Sequence, residues 1–435
     1  MRDVSQDQGA ALAGQAPTRA RFAMLGLIAT GTLINYLDRT ILGIAAPALT
    51  KELAINSAVM GVVFSAFSWS YAASQIPGGL FLDRFGTRLT YGLSVGFWSL
   101  FTLLHAFAGG LASLLGLRLA LGVAEAPCFP ANSRVVATWF PQSERAFATG
   151  VYTVGEYIGL AFLSPILFWM LAHYGWRSLF IACGLLGLAF VLVWMAKYRE
   201  PTEHKQVNAA ELDLIAKGGG LVGGTTKGGK IDWSKAWKLL KYRQMSGICI
   251  GQFAGNSTLV FFLTWFPTYL ATERGMGFLK IGFFAIMPFI AASIGVLFGG
   301  WWSDTMLRRG LSANVARKAP IITGLLLAST IITANFVESN NAVIAILSLA
   351  FFAQGMAALG WTLVSDIAPE GMLGLTGGVF NLAANMAGII TPLVIGIIVA
   401  ATGSFFYALA YIALLALLGA LAYIFVLGDV KRIQL

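Results

Sequence analysis

Charge is what this chain has least of. Only 11% of its 435 residues are Asp, Glu, Lys or Arg, against 57% hydrophobic, and the mean hydropathy is +0.76. A soluble protein of this size carries about 25% charge. The scarcity therefore excludes a soluble globular enzyme, a disordered chain and a coiled coil. Histidine is nearly missing: His105, His173 and His204 are all there is, and they lack metal-ligand spacing. Three cysteines make no disulfide framework. Cys128, Cys183 and Cys249 each lie in an apolar stretch and read as small buried hydrophobes. The glycine- and lysine-rich stretch 218–230 lacks Gly-Lys-Ser/Thr, so it is no phosphate loop. No Ser/His/Asp constellation and no ATP-binding domain is evident. The expectation is a protein that is not an enzyme, holds no metal or cofactor, and uses an ion gradient as its energy source.

Apolar runs and 50 glycines are what the chain has in plenty. Small residues let membrane helices approach closely. A helix needs about 20 apolar residues to cross the hydrocarbon core. Twelve candidate spans lie near 22–47, 58–81, 89–109, 111–133, 146–172, 177–196, 246–271, 279–302, 319–337, 341–364, 373–400 and 405–427. They are too long and continuous for outer-membrane strands. The expectation is an all-α, multi-pass membrane protein. Its first span is too long for a signal peptide, carries Asp38-Arg39, and has no convincing cleavage site.

The net charge of +10 is a topology signal rather than a nucleic-acid patch. With the N-terminus inside, the outer side holds Lys51, Arg177, Arg274 and Lys280. Arg39 and Arg118 lie within spans, and every other Lys or Arg falls inside. This asymmetry places both termini in the cytoplasm.

Residues 197–245 form the only long polar stretch. Asn208 followed by Glu211 resembles a helix start. Trp233, Trp237 and Leu240 form one apolar face, so Asp232–Lys241 is expected on the membrane surface. The stretch divides the chain into six spans at 1–196, a cytoplasmic linker with amphipathic helices at 197–245, and six spans at 246–435. The halves repeat. Gly78-Gly79 with Asp83, Arg84, Gly86 and Arg88 follows span two, and Gly299-Gly300 with Asp304, Arg308 and Arg309 follows span eight. Thr149-Gly150 with Ser164-Pro165 is matched by Thr376-Gly377 with Thr391-Pro392. Parallel six-span repeats place a substrate site between the halves near the midplane.

Asp38, Arg39, Arg118, Glu125 and Glu156 all sit within spans. Each charge at the bilayer centre costs roughly 2.5–3.5 kcal/mol. Unpaired, the five would cost roughly 12–18 kcal/mol, more than typical net stability. They must pair, take up a proton, or line a wet cavity. Two cations against three carboxylates leave one negative charge in excess. Arg118 and Glu125 share a helix face nearly two turns apart, as do Asn35 with Asp38 and Tyr36 with Arg39. Thr149, Tyr152 or Thr153, and Glu156 form a polar stripe on span five. Gln252 with Asn256, and Asn381 with Asn385, are i,i+4 amide pairs, and Tyr71 and Trp361 add aromatic walls.

Arg39 or Arg118 can offer a planar fork to a carboxylate. Amides and tyrosines match hydroxyl groups. Asp38 and Glu125 can load and release protons, and a substrate carboxylate arriving at the Arg would change their balance. Reciprocity requires that protonation also alter anion affinity. Blander readings stand beside these. Arg118–Glu125 can be a structural pair, Asp38 and Arg39 can be structural charges, and the span-five stripe can be helix–helix glue. Asn381 and Asn385 can be interhelical bonds, and Trp361 can be packing. Asp83, Arg84, Arg88, Asp304 and Arg308 lie at cytoplasmic loop ends, where they are expected to lock the inner gate. Asp366 reads as a gate or solvated residue, with Ser365 beside it facing the cavity. Asn256-Ser257-Thr258 is a glycosylation triplet only in letters, because it falls inside a span.

The Gly-x-x-x-Asp-Arg-x-Gly-x-Arg loop at 79–88, its partial copy and the six-plus-six layout resemble the major facilitator superfamily over nearly the whole chain. Further strings resemble its anion:cation symporter branch: Asn35-Tyr36-Leu37-Asp38-Arg39, Phe64-Ser65-Ala66-Phe67, Gln75-Ile76-Pro77-Gly78-Gly79, Glu125-Ala126-Pro127 with Phe129-Pro130, Trp139-Phe140-Pro141, Phe262-Leu263-Thr264-Trp265-Phe266-Pro267 and Gly377-Gly378-Val379-Phe380-Asn381. Within that branch the chain, with its ending Gly428-Asp429-Val430-Lys431-Arg432, is similar to bacterial proton symporters of galactonate and glucarate. The resemblance implies Asp38 and Glu125 as proton carriers, Arg39 as the substrate-carboxylate ligand and Arg118 as partner of the acids. It implies polar substrate contacts at Tyr36, Tyr71, Gln252, Trp361, Ser365, Asn381 and Asn385. Asn256 joins them through its pairing with Gln252. One departure is Glu156, where those relatives usually carry Gln. An ionised Glu there would repel an anion, and a protonated one can replace the amide as donor. Glu156 is therefore expected neutral with substrate bound, or the substrate differs from galactonate.

The resulting expectation is a bacterial inner-membrane symporter, functional as a monomer in the lipid bilayer, that takes up a sugar acid such as galactonate, glucarate or galactarate with protons by alternating access. The alternatives are another organic anion (tartrate, quinate or a hexuronate) or a proton-driven exporter, which would favour an apolar cavity. A uniporter, a sensor and a channel are further rivals.

Overall fold

The computed structural model describes residues 16–222, 238–369 and 372–434, and every regular element among them is helical. The first half comprises α1 (Ala20–Glu52), α2 (Ser57–His105), α3 (Leu111–Glu125), α4 (Cys128–Trp139), α5 (Arg145–Tyr174) and α6 (Trp176–Lys197). After the linker helix α7 (Ala209–Lys217) come α8 (Arg243–Thr264), α9 (Phe278–Arg308), α10 (Ala313–Ala328), α11 (Asn340–Ala357), α12 (Gly360–Ile367), α13 (Leu373–Thr402) and α14 (Phe406–Leu421). Among the described residues, ten stretches are long and apolar enough to cross a membrane. The two limbs of α2 supply the second and third expected passes.

Those two passes differ from the expected separate spans. They run into one another through Gly86, whose φ of 75° and ψ of 170° turn the chain at the Asp83–Arg88 loop. A Cβ there would meet nothing within 4 Å, so the demand on glycine is conformational. The fourth pass is broken as well. Pro127 has no N–H to donate and its ring crowds the preceding turn, so α3 stops at Glu125 and α4 begins at Cys128. The break leaves Glu125 at the last position of α3, beside an interrupted hydrogen-bond ladder. The expected pass at 341–364 is likewise two helices, α11 and α12.

Caps start the helices where short polar side chains precede apolar runs. Asn56 Oδ1 accepts from Val59 N–H at 2.9 Å before α2, and Asn208 Oδ1 accepts from Glu211 N–H at 2.9 Å before α7. The Glu211 carboxylate does not fold back to close a capping box. It turns instead to Thr18, to the backbone N–H groups of Ala20 and Arg21 at 3.2 Å, and to the Arg21 guanidinium at 3.1 Å. Arg21 also pairs with Glu144 at 2.9 Å. The linker helix is thereby pinned to the first half. Of the surface segment Asp232–Lys241, residues 232–237, including Trp233 and Trp237, lie outside the described residues. At its end Leu239 is buried and Leu240 exposed.

The apolar core shows how the halves meet. Near the termini each half has its own core, one around Leu25, Trp98, Trp139 and Trp194, the other around Ile248, Phe380 and Tyr423. Away from the termini a single core joins Leu42, Phe64 and Phe168 of the first half with Phe262, Trp265 and Phe351 of the second. The contacts between halves there are close. A methyl at Gly61 would lie 2.5 Å from Pro392 O, one at Gly43 2.3 Å from Leu263 O, and one at Gly282 2.9 Å from Phe168 Cβ. The Phe64 and Trp265 rings meet edge-on at 5.2 Å. The bundles are thus closed on the face away from the termini and parted on the terminal face, where Trp361 and Ser365 remain exposed.

Candidate functional site

The first and third helices of the first half deliver the charges. Arg39 lies mid-way along α1, and Glu125 closes α3 before the Pro127 break. Arg39 Nε and Nη2 both reach Glu125 Oε2 at 2.9 Å. Four rings enclose the guanidinium, with its carbon 4.9 Å from the centroids of Phe67 and Tyr71, 5.5 Å from Tyr36 and 5.7 Å from Phe129. Such rings stabilise a cation through their negative faces while excluding water. Glu125 is fully buried and also faced by Asn35.

Arg118 forms no ion pair within 4 Å among the described residues. Its guanidinium carbon lies 5.1 Å from the centroid of the same Phe67 ring, within electrostatic reach of Glu125 and Asp38. The partner of Glu125 is therefore Arg39 rather than Arg118 on the same helix. Asp38 stands one residue before Arg39. Its carboxylate is buried and faced by Trp98 and Thr102 of α2. The adjacent pair Asp38-Arg39 thus meets different neighbours, Asp38 on α2 and Arg39 at Glu125 of α3.

Glu156 of α5 comes to the same region. It is buried, faced by the Tyr36 hydroxyl, and feels Arg39. Tyr36 consequently stands between Arg39 and Glu156. In the second half, Gln252 on α8 approaches Gly360 at the start of α12, and Trp361 packs edge-on to Phe380 at 5.0 Å. Asn256 Nδ2 donates to Ala384 O at 2.6 Å, which ties α8 to α13. Asn385 Nδ2 donates to Asn381 O at 3.1 Å within α13, and Ser365 Oγ contacts Trp361 O at 3.5 Å. The side chains of Gln252, Trp361 and Asn381 lie on the second-half elements that border the opening.

The loop-end charges pair within their own halves. Asp83 meets Arg134 at 3.5 Å, and Arg88 donates to Met195 O at 2.6 Å. Arg84 lies over Phe85 at 5.4 Å. Asp304 and Asp366 both bind Arg317, at 3.4 and 3.1 Å. Arg308 ends α9. Arg134 and Arg317, the hubs of these clusters, are surface-end arginines that no sequence pattern singles out. Phe67 and Phe129 were legible only as letters within the quoted strings, with nothing to say that they enclose Arg39.

Comparison with known proteins agrees with this architecture. The sequence profile of the Major Facilitator Superfamily matches residues 28–315. A protein of Escherichia coli O6:H1 (strain CFT073) named "D-galactonate transporter" is 47% identical over 421 residues, covering 96% of this chain and 98% of that one. One of Escherichia coli (strain K12) named "Probable galactarate/D-glucarate transporter GarP" is 42% identical over 429 residues, covering 95% and 96%. Among solved structures, a bacterial homolog to the human lysosomal transporter Spinster, described as inward-facing and occupied, superposes with a TM-score of 0.71 over 94% of this chain and 97% of that one. Its 17% identity bears on the fold alone.

Proposed function

Because the chain belongs to the Major Facilitator Superfamily, we propose that it is a secondary active transporter that carries a sugar acid such as galactonate, glucarate or galactarate inward with protons. It works as a monomer in the bacterial inner membrane with both termini in the cytoplasm, and the solute leaves chemically unchanged. The parted terminal face is then the cytoplasmic one. The substrate class rests on the relatives' names and on a site where one caged arginine holds the buried carboxylate of Glu125, with Glu156 in its field.

The single observation that carries the mechanism is the Arg39–Glu125 contact. Arg39 can hold either Glu125 or a substrate carboxylate, because both would occupy the same donors. A proton on Glu125 weakens its hold on Arg39 and frees the fork for the anion. Deprotonation reverses this and expels the anion. Proton and anion therefore favour each other's binding, as linkage requires. Rocking of the two halves about the site alternates access, with the small-residue contacts around Gly61 and Gly282 forming the outer closure. The clusters Asp83–Arg134 and Asp304–Arg317–Asp366 lie where the inner closure would form.

The test is uptake of radiolabelled galactonate, glucarate and galactarate into proteoliposomes under an inward proton gradient. Accumulation abolished by a protonophore is the expected result. Uptake indifferent to the gradient would leave a uniporter. No uptake and no thermal stabilisation by any hydroxy acid would remove the substrate class.

A further inference from the structure

The Arg39 contact accounts for one oxygen of Glu125. The other, Oε1, is buried with the whole side chain and makes no well-formed hydrogen bond. Facing this carboxylate is the side-chain amide of Asn35, which is itself fully buried and has neither Nδ2 nor Oδ1 engaged elsewhere. Asn35 stands one turn before Arg39 on α1, at i,i+4, so amide and guanidinium share a helical face and reach the same acid. Asp38, between them in sequence, takes its contacts from Trp98 and Thr102 of α2. Ser94 Oγ of α2 donates to Ala124 O and pins the last turn of α3, where Glu125 sits.

Other asparagines of the spans are tied to acceptors that never change. Asn132 Nδ2 donates to Thr32 Oγ1 at 2.9 Å, Asn256 Nδ2 to Ala384 O at 2.6 Å and Asn385 Nδ2 to Asn381 O at 3.1 Å. Asn35 instead faces a carboxyl group. An ionised carboxylate is an acceptor only, whereas a protonated one also carries an O–H that must donate. A fully buried acid that titrates needs a neighbour that answers both states, since a buried polar atom left unmatched is costly. An amide is such a neighbour: a half-turn of its plane exchanges an N–H donor for a carbonyl acceptor in nearly the same place. The titratable or charged groups that feel Glu125 are Asp38 and Arg39 of α1, Tyr71 of α2, Arg118 of its own helix and Cys128 of α4.

We propose that Asn35 is a positioning residue for Glu125. Its Nδ2 donates to Oε1 of the ionised acid while Arg39 holds Oε2. When a proton from solvent binds Oε1, an O–H bond forms, the amide turns over, and Oδ1 accepts from the new hydroxyl. Loss of the proton reverses the turn, and no other bond changes. Asn35 thereby sets the pH at which Glu125 releases Arg39 to the substrate carboxylate. This rests on the proton-symport reading.

The experiment takes whichever of galactonate, glucarate and galactarate binds most tightly and measures its dissociation constant from pH 5 to 9 by isothermal titration calorimetry. Four proteins are compared: the unaltered chain, Asn35→Leu, Glu125→Gln and the double variant. Hydrogen bonds to an ionised group are roughly twice as strong as neutral ones, so Asn35→Leu disfavours the ionised acid more than the protonated one. Affinity should then hold to higher pH, with its fall displaced by about one pH unit, which is about tenfold tighter binding than the unaltered protein on the alkaline side. In the Glu125→Gln background there is no acid to answer, and Asn35→Leu should leave the pH profile where it stands. A purely structural role would weaken binding by one factor at every pH, or move both backgrounds alike. Either result overturns the inference, as does a profile that Asn35→Leu leaves unmoved. Asn35→Ala replaces Asn35→Leu if thermal unfolding shows that the latter does not fold. If the unaltered protein binds these acids without pH dependence, or binds none of them, the symport reading fails and takes the inference with it.

Discussion

Arg39 and Glu125 stand 86 positions apart in the chain and 2.9 Å apart in the protein, with Nε donating to one carboxylate oxygen and Nη2 at the same distance from it. That geometry leaves the second oxygen of Glu125 buried and unpaired. The pair is strong enough to hold and incomplete enough to break.

Glu125→Gln keeps the shape of the side chain and removes its charge. Gradient-driven accumulation is expected to be lost, while substrate binding persists with a shallower dependence on pH. Arg39→Ala leaves a buried carboxylate without its partner, at a cost of about 3–5 kcal/mol on the scale of broken buried pairs, and loses binding outright. Thermal unfolding with and without galactonate separates the two. Proton-driven accumulation by Glu125→Gln would contradict the exchange of partners at Arg39.

Glu156 must be neutral for an anion to sit beside Tyr36. The protonated form is then the one substrate prefers, so affinity weakens as pH rises, by up to about tenfold per pH unit for each proton bound with the substrate. In Glu156→Gln the slope should be shallower. Dissociation constants for galactonate measured from pH 5 to 8 on both proteins give the comparison. Identical slopes and an identical substrate range would remove Glu156 from the site.

Closure away from the termini depends on the absence of a side chain at Gly61, whose backbone abuts Pro392. Gly61→Val should hold the halves apart there and favour the opposite opening. Transport is expected to fall by about tenfold or more, since overpacking of a tight contact costs roughly 1–3 kcal/mol. Maleimide labelling of a cysteine placed at exposed Leu382 should slow at the same time. Unchanged labelling would mean that this contact does not govern which side is open.

Arg21 neutralises Glu211 in the interior of the docked linker helix. Arg21→Ala strands that carboxylate, and α7 should detach. Trypsin is expected to cut within 197–222 many times faster, and Glu211→Gln, which keeps hydrogen-bonding capacity, should be milder. Equal protection of all three proteins would show that the helix is held by its apolar contacts alone.

The helical passes and the five charged residues inside them were legible because each follows from a one-dimensional rule. A charge within an apolar run is visible wherever its partner is, and a repeat shows itself by spacing. The helix breaks at Pro127 and the turn at Gly86 follow from local chemistry but were hidden within longer apolar stretches. Partner choice was not legible. Arg118 and Glu125 share a face of one helix and looked paired, yet α1 brings Arg39 closer.

Hydropathy and the placement of basic residues were enough to make this a multi-pass helical membrane protein with charges it must account for, because the energy of burying a residue in lipid depends on that residue alone. What the fold decided is which neighbours each charge meets. Asp38 and Arg39 are neighbours in sequence, but Asp38 faces Trp98 and Thr102 of α2 while Arg39 meets Glu125 of α3 among four rings. The surroundings of a side chain depend on which helices flank it, so the partner each charge meets exists only in three dimensions.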